Sequence, residues 1–235
     1  MSVEVDDTKS RLLTAAGELF AERGFEGATA RQICERAGVN LAAINYHFKS
    51  KEQLYIEAVK AAAPVFHAEL AELEVELDQI QEERRRDAAA ALLKKYIYLL
   101  MHRMVGIHVP DWKVKLIMRE MLEPTGGCQE FFRQHVQRGF EILMRIVNLL
   151  LPEDTPEHRR VQIGLSIVSQ CLHYRMARDV IQFLIPRRDD PAFSPDSLAE
   201  HIVEFVFSAL GLSPPFVRQW ERKDCEYREG AHLSG

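Results

Sequence analysis

Residues 24–53 of this chain read GFEGATARQICERAGVNLAAINYHFKSKEQ. Within this stretch, Thr29 and Ser50 each stand three residues before a glutamine, which is the capping-box pattern that starts a helix. The sequence between them predicts one helix over 29–38, ending at a glycine, and a very short helix over 40–48 that an asparagine caps. Two short helices joined by a tight turn that contains glycine form a helix-turn-helix.

Apolar residues in these two helices are spaced so that one side of each faces inward. Ile33 and Ala37 lie four residues apart, and Leu41, Ile44 and Phe48 follow one another at spacings of three and four. Such spacings place apolar side chains on one helix face. Together with a preceding amphipathic helix, they predict a small three-helix core.

The outer side of the helix over 40–48 carries the chemistry that reading DNA requires. Its residues are Ala42, Ala43, Asn45, Tyr46 and His47. The two alanines let the helix enter the major groove closely, and their methyl groups can meet a thymine methyl. Asn45 can hydrogen-bond adenine at N6 and N7, whereas Tyr46 and His47 can donate to phosphate.

Positive charge is concentrated around this helix, although the whole chain has a formal net charge of -5. Over residues 27–51 the bases outnumber the single acid and give a local charge of +3; they are Arg31, Arg36, Lys49 and Lys51. The Thr29 hydroxyl and the amides of its helix N-terminus can also bind a phosphate. The same pattern also fits a structural three-helix module that never touches DNA.

The other periodic segments also predict helices, so the expected fold class is all-α. The predicted helices span residues 8–24, 29–38, 40–48, 50 to beyond 70 with a kink at Pro64, 85–107, 110–123, 128–150, 157–185 and 195–210. The predicted organisation is a helix-turn-helix domain over 1–52, a larger helical domain over 53–212 and a tail over 213–235. The acidic stretch 69–83 predicts a solvated helix face or an exposed connection.

The N-terminal sequence resembles the DNA-binding domain of the TetR/AcrR family of bacterial regulators over residues 8 to about 60. The matching pieces are Thr29-x-x-x-Ile33, Ala37-Gly38-Val39, Tyr46-His47-Phe48 and Ser50-Lys51-Glu52-x-Leu54. The resemblance implies a three-helix DNA-binding domain joined to a larger helical domain for effector binding and dimerisation. It also implies phosphate contacts by Thr29, Tyr46, His47 and Lys51, and base contacts by residues 41–45, which include Leu41.

Two segments of the C-terminal half resemble the CecR-like branch of that family. They run from Arg119 to Thr125 and from Ile167 to Arg175. The recognition helix Ala-Ala-Ile-Asn-Tyr-His-Phe is also similar to that branch. This resemblance does not identify a ligand.

The helices predicted over 157–185 and 195–210 are apolar on nearly every side. A helix that is apolar all round is buried on both sides. Either one monomeric core encloses both helices, or two subunits pair them in a four-helix bundle about a two-fold axis. The family resemblance favours the homodimer, and a two-fold dimer predicts a palindromic operator on double-stranded DNA.

Candidate effector-binding residues are the aromatic, histidine, methionine and arginine side chains of the C-terminal helices. They are Tyr98, His102, Met118, Met121, Phe132, His135, His173, Tyr174 and Arg175. Most of these also fit a plain core role. His173 and Arg175 lie in the most apolar helix and need partners there, for which Glu120, Glu123 or an anionic effector are candidates.

The sequence predicts no enzyme, cofactor or metal site, because it holds no Gly-rich phosphate loop, no GxSxG, no HExxH and no CxxC pair. No signal peptide or membrane span is apparent, so we expect a cytoplasmic protein without a membrane partner. The predicted function is a repressor that releases its palindromic operator when an unknown small molecule binds. The alternatives are an activator, a regulator without a ligand, a helical enzyme or an interaction adaptor.

Overall fold

A computed structural model describes residues 2–62, 67–106, 110–185 and 191–213, and every regular element within these ranges is helical. The α-helices are α1 (Ser2–Gly27), α2 (Ala30–Ala37), α3 (Ala42–Phe48), α4 (Lys51–Ala62), α5 (His67–Asp78), α6 (Arg85–Met101), α7 (Asp111–Leu122), α8 (Gln129–Phe132), α9 (Arg138–Leu150), α10 (Glu157–Met176), α11 (Arg178–Leu184) and α12 (Pro195–Ala209). Short 3₁₀ turns lie at Glu82–Arg84, Gly126–Cys128 and Pro191–Phe193, and π-helical turns at His102–Gly106 and Arg133–Gln137. The all-α prediction is confirmed.

The chain divides into two compact units. The first comprises residues 1–66 and 108–138, and the second comprises residues 67–107 and 139–235. The first unit therefore contains α7 and α8 in addition to the N-terminal helices. The domain boundary that we predict at residue 52 does not coincide with the limits of these units, and it stays a prediction.

The first unit has one apolar core, to which α1, α2, α3, α4 and α7 all contribute. Phe20, Ile33 and Leu54 are fully buried in it, and Tyr55 meets Phe20 edge-on with ring centroids 4.9 Å apart. Close approach of α1 and α7 requires a glycine at Gly17, because a Cβ there would lie 2.2 Å from Cζ3 of Trp112. The core predicted for the helix-turn-helix thus extends to α4 and α7.

The second unit packs α6, α9 and α12 around buried aliphatic side chains, among them Ile97, Ile146 and Ile202. Only Gly164, Ile167 and Cys171 of α10 are buried within this one chain. The remaining apolar residues of α10 are partly or fully exposed, so the apolar surface expected on this helix is not enclosed by the chain's own described residues.

Several helix ends differ from their predicted positions. Backbone at Gly24 leaves the helical region with φ 74°, as the predicted stop requires, but α1 begins at Ser2 rather than at residue 8. The helix predicted over 157–185 is wrong as one element, because it breaks at Ala177 into α10 and α11. The helix predicted over 128–150 is likewise interrupted by a π-helical turn. Pro64 lies outside the described residues.

The acidic stretch 69–83 forms ion pairs with basic side chains of the second unit. The pairs are Glu69–Arg103, Glu76–Lys95, Asp78–Arg145 and Glu82–Arg85. The stretch is therefore more than a solvated face, since it ties α5 to neighbouring helices. No helix in the described ranges is both long and apolar enough to cross a membrane.

Candidate nucleic-acid interface

The turn between α2 and α3 is fixed by the local contacts that the sequence predicts. Thr29 Oγ1 accepts from the amide of Gln32 at 3.3 Å, and the Gln32 side chain accepts from the Thr29 amide at 3.1 Å, which completes the capping box. Gly38 ends α2 in the left-handed region with φ 66°. Asn40 Oδ1 then accepts from the amide of Ala43 at 3.1 Å, so the predicted cap holds the start of α3.

The second predicted capping box forms only in part. Ser50 Oγ accepts from the amide of Gln53 at 3.1 Å, which caps α4. The Gln53 side chain instead donates to Glu57 at 3.3 Å, and it does not return to Ser50. The helix start is where the sequence places it, although the reciprocal bond is missing.

Burial divides α3 into an inner and an outer face. Ile44 and Phe48 are buried, whereas Ala42 and Asn45 are exposed and Tyr46 is 76% exposed. Such an arrangement leaves an amide, a phenol and a methyl group on the surface of one short helix, supported from behind by the core. The outer face that we predict for base reading is therefore accessible in the described chain.

Three other predicted contact residues are less exposed than the outer face or lie at its edge. Ala43 is partly buried and packs against the core, so its methyl group serves packing as well. His47 is half-buried, and its ring meets that of Tyr46 edge-on at 4.8 Å. Leu41 precedes α3 and is 56% exposed.

The Lys51 ammonium group is hydrogen-bonded within the protein. Its Nζ donates to the carbonyl oxygens of Phe25 at 2.9 Å and Ala28 at 3.2 Å, and it lies 4.2 Å from the centre of the Phe25 ring. These bonds tie the start of α4 to the connection between α1 and α2. An ammonium group has three N–H donors, so one remains for a phosphate.

Lys49 differs from Lys51 in both exposure and backbone. Its side chain is exposed and its backbone has a φ of 68°, which is rare for a non-glycine residue. Together with the exposed Arg31, it places positive charge on the surface next to α3.

Arg36, which contributes to the local charge of +3 in the sequence, is paired with acids of α1. Its guanidinium group donates to both carboxylate oxygens of Glu22, at 3.0 and 3.2 Å, and lies 3.8 Å from Glu18. The hydrogen bond lowers the pKa of Glu22 and raises that of Arg36. The cations left for DNA are therefore Arg31, Lys49 and Lys51, since pairing neutralises Arg36.

The structure brings one further cation close to α3. Lys9 of α1 is exposed, and its Nζ lies 6.0 Å from the ring centre of Phe48, near the end of α3. The sequence places Lys9 far from α3, and only the packing of α1 brings the two together.

The candidate effector-binding residues do not converge on one place. Met118, Met121, Phe132 and His135 belong to the first unit, and Phe132 packs against its core. The other five belong to the second unit, where Tyr98 bonds Glu200 and His102 lies 2.7 Å from Asp196. Of the nine, Tyr174 and Arg175 line a cavity, whereas the His173 side chain is exposed.

Glu120 and Glu123, the protein partners predicted for His173 and Arg175, are engaged elsewhere, so that pairing is wrong. Glu120 is 0% exposed and accepts from the Tyr55 hydroxyl at 2.6 Å and from the amide and hydroxyl of Thr125 at 2.6 and 2.8 Å. Burial, followed by the bond to Glu120, raises the pKa of Tyr55. Glu123, which follows the end of α7, has a carboxylate oxygen 3.8 Å from a guanidinium nitrogen of Arg119. The contacts described for both carboxylates therefore lie within the first unit.

Two protein families match this chain. Residues 12–58 match the family described as bacterial regulatory proteins, tetR family. Residues 89–210, just over half of the chain, match the family described as the HTH-type transcriptional dual regulator CecR, C-terminal domain. The first match covers the helix-turn-helix described above, and the second covers most of the second unit.

Two regulators and one solved structure are also similar to this chain. The dual regulator CecR of Shigella flexneri is 27% identical over 184 residues, which are 77% of this chain and 81% of that protein. The regulator UidR of Escherichia coli is 39% identical over 59 residues, 25% of this chain and 30% of that protein. The solved structure of NalD, the secondary repressor of the MexAB-OprM multidrug efflux pump in Pseudomonas aeruginosa, covers 86% of this chain and 96% of its own with a TM-score of 0.56 at 22% identity. That structural likeness concerns the fold alone.

Proposed function

Because the chain belongs to the TetR family of DNA-binding transcriptional regulators, and its C-terminal half to the CecR domain family, we propose that it is a repressor that releases a palindromic operator when a small molecule binds its second unit. Relatives of this family are regulators and not enzymes, and this chain is a regulator likewise. The sign of regulation, the effector and the operator symmetry are the proposed parts. As a DNA-bound regulator, it is expected to act in the cytoplasm.

The outer face of α3 carries this proposal. Asn45 and Tyr46 stand on a helix that is capped at its start and held by buried Ile44 and Phe48 from behind. Such support fixes the side chains before binding, which limits the entropy lost on contact. We assign base reading to Asn45 and Ala42, and phosphate contacts to Tyr46, His47, Lys49 and the remaining Lys51 donor.

Homodimer formation is proposed from the apolar surface of α10 and α12. Leu165 of α10 is 51% exposed and Phe205 of α12 is 48% exposed. Large apolar side chains on the open faces of two neighbouring helices favour burial by a partner. To reach successive major grooves, a two-fold dimer must place its two α3 helices about 34–36 Å apart, or a multiple of that.

The release step is proposed as a shift between two arrangements of the dimer, one able to bind the operator and one not. A ligand changes that equilibrium only by the difference in its affinity for the two arrangements. The repressor proposal therefore requires that operator and effector weaken each other's binding by the same factor.

An activator or dual regulator is the second candidate. It is favoured by the relative named a dual regulator, CecR. In vitro transcription from the promoter upstream of the chain's own gene separates the two. Repression of transcript yield by the protein supports the first candidate, and an increase supports the second.

The contact surface is tested by fluorescence anisotropy with the same upstream DNA. We compare wild-type protein with Asn45→Ala and Tyr46→Phe, and we use Gln79→Ala and Tyr98→Phe as matched controls in the second unit. Asn45→Ala is expected to weaken binding by about ten-fold or more, because a bidentate base contact is worth about 1–3 kcal/mol. Tyr46→Phe is expected to weaken binding by a similar factor, because a hydrogen bond to a charged phosphate contributes about 1.5–3 kcal/mol. Unchanged affinity in both α3 variants would reject the assigned face.

A further inference from the structure

A cavity of about 190 Å³ lies in the second unit, where α10 passes into α11. Its polar wall consists of Tyr174, Arg175, Arg178 and Gln182. These residues stand on either side of the helix break at Ala177, so the break itself shapes the opening. The described part of the lining thus holds two guanidinium groups, a phenol and an amide.

The other lining residues of the cavity are apolar. They include Val105, Ile181, Phe193 and the buried Leu198, which come from four different elements. A cavity with apolar walls and a few convergent polar groups is the usual form of a small-molecule site. An apolar cavity of about 150 Å³ accommodates a benzene ring, so this volume suits an apolar group of about that size.

Two irregularities of the backbone meet at this cavity. Ala177 has φ −94° and ψ 16°, which is outside the helical region, although alanine is the best helix former. Val105 belongs to the π-helical turn His102–Gly106, and π-helical turns occur frequently at functional sites. Both departures position side chains toward the same space.

The donors at the polar wall suit an anion. Guanidinium groups present planar N–H pairs that match a carboxylate, and such charge-assisted bonds are about twice as strong as neutral ones. Burial raises the pKa of Tyr174, so its phenol remains a neutral hydrogen-bond donor at physiological pH. Arg175 is half-buried, whereas Arg178 is exposed and stands at the rim.

We propose that this cavity binds a small amphipathic carboxylate, with the carboxylate between Arg175 and Arg178 and an apolar part of about one ring against Ile181, Phe193 and Leu198. The proposal deepens the effector role in the proposed function and rests on it only for the biological purpose of the site. The cavity selects an anion over a neutral or cationic molecule of the same shape.

The test measures ligand binding to the full chain by titration calorimetry without DNA. The probes are benzoate, benzamide and benzamidine, which have one shape and carry negative, zero and positive charge. Benzoate is expected to bind about ten-fold more tightly than benzamide, because the amide carries no negative charge and offers one acceptor oxygen instead of two; benzamidine is expected not to bind. Equal affinity for benzoate and benzamide, or no binding of benzoate at millimolar concentrations, would overturn the proposal.

Matched variants locate the binding. Arg175→Gln and Arg178→Gln should each weaken the binding of benzoate by about ten-fold and leave the affinity for benzamide unchanged. Arg159→Gln, at the exposed start of α10, should change neither affinity. Arg178 is exposed, so its variant stays informative if Arg175→Gln fails to fold. Benzoate affinity that survives both cavity variants would place the anion elsewhere and refute the site.

Operator release is measured separately, by adding benzoate to the protein–DNA complex. Lower operator affinity with wild-type protein, but not with Arg178→Gln, supports both the site and its role. Binding of benzoate without any change in operator affinity supports the site and overturns the role of such anions in release. The two proposals therefore fail independently.

Discussion

The buried hydrogen bond between Tyr55 and Glu120 is a sensitive point of the first unit, and Tyr55→Phe removes it with little change in shape. Tyr55 stands on α4 and Glu120 on α7, and the donor and acceptor oxygens are 2.6 Å apart. Glu120 is 0% exposed, so no water replaces the lost donor. Glu120 also accepts from the amide and the hydroxyl of Thr125.

The expected loss of stability follows from this burial. A hydrogen bond to a charged group contributes about 1.5–3 kcal/mol, and a buried acceptor left with fewer donors keeps its desolvation penalty. We therefore expect Tyr55→Phe to lower the free energy of unfolding by about 2–3 kcal/mol. For a chain of this size, each kcal/mol corresponds to about 2–4 °C, so Tm should fall by roughly 4–12 °C.

The assay is thermal and urea unfolding at one fixed protein concentration, since dimerisation makes Tm depend on concentration. Tyr98→Phe is the control, because its hydroxyl also bonds a glutamate, Glu200, but in a partly exposed place. Solvent screening should keep the control's loss to about 1 kcal/mol or less. Equal losses in the two variants would refute the importance assigned to burial.

Alkaline pH gives a second readout of the same contact. The raised pKa of Tyr55 means that the folded protein favours the protonated phenol. Its contribution is fully present below the ordinary tyrosine pKa of about 10 and is lost as pH rises above that value. The stability gap between wild-type protein and Tyr55→Phe should therefore narrow above about pH 10, and a gap that widens there would contradict the assignment.

Three further predictions concern the first unit. Gly17→Ala should cost about 1–3 kcal/mol by overpacking, because the new Cβ would lie 2.2 Å from Trp112, and Trp112→Leu should restore part of the loss in thermal unfolding. Thr29→Ala should cost about 1 kcal/mol and weaken DNA binding, whereas Thr29→Ser should preserve the cap and both readouts. Lys51→Met should lower both stability and operator affinity, because two carbonyl oxygens lose a donor. Lys49→Met should lower only operator affinity and reduce the salt slope of binding by about one. Equal stability of the two lysine variants would contradict the structural role of Lys51.

The sequence predicts the helix-turn-helix well because its determinants are local. The caps at Thr29 and Asn40 and the left-handed Gly38 act within three or four residues, so the pattern contains the whole cause. Burial of Ile44 and Phe48 follows from their spacing on one short helix. The remaining side chains of α3 then form its outer face.

Features that depend on contacts between residues distant in the chain cannot be predicted from local sequence patterns. Arg36 looks like a cation for DNA until α1 brings Glu22 within 3.0 Å of it. Glu120 is engaged by Tyr55, which is 65 residues away in the chain. The helix breaks at Ala177, where no glycine or proline predicts a break, and the cavity beside it is lined by residues of five elements.

The central claim, that the outer face of α3 enters the major groove, is tested most directly by cleavage of DNA from that face. Ala42 is exposed on α3, and Ala42→Cys can carry an iron–EDTA group, with Gln79→Cys in the second unit and the labelled wild-type chain as controls. The account predicts cleavage by the Ala42→Cys conjugate within the protected operator, at two positions about 34–36 Å apart or a multiple of that, with background cleavage from both controls. Cleavage by the Gln79→Cys conjugate at the operator, with none from Ala42→Cys, would contradict it.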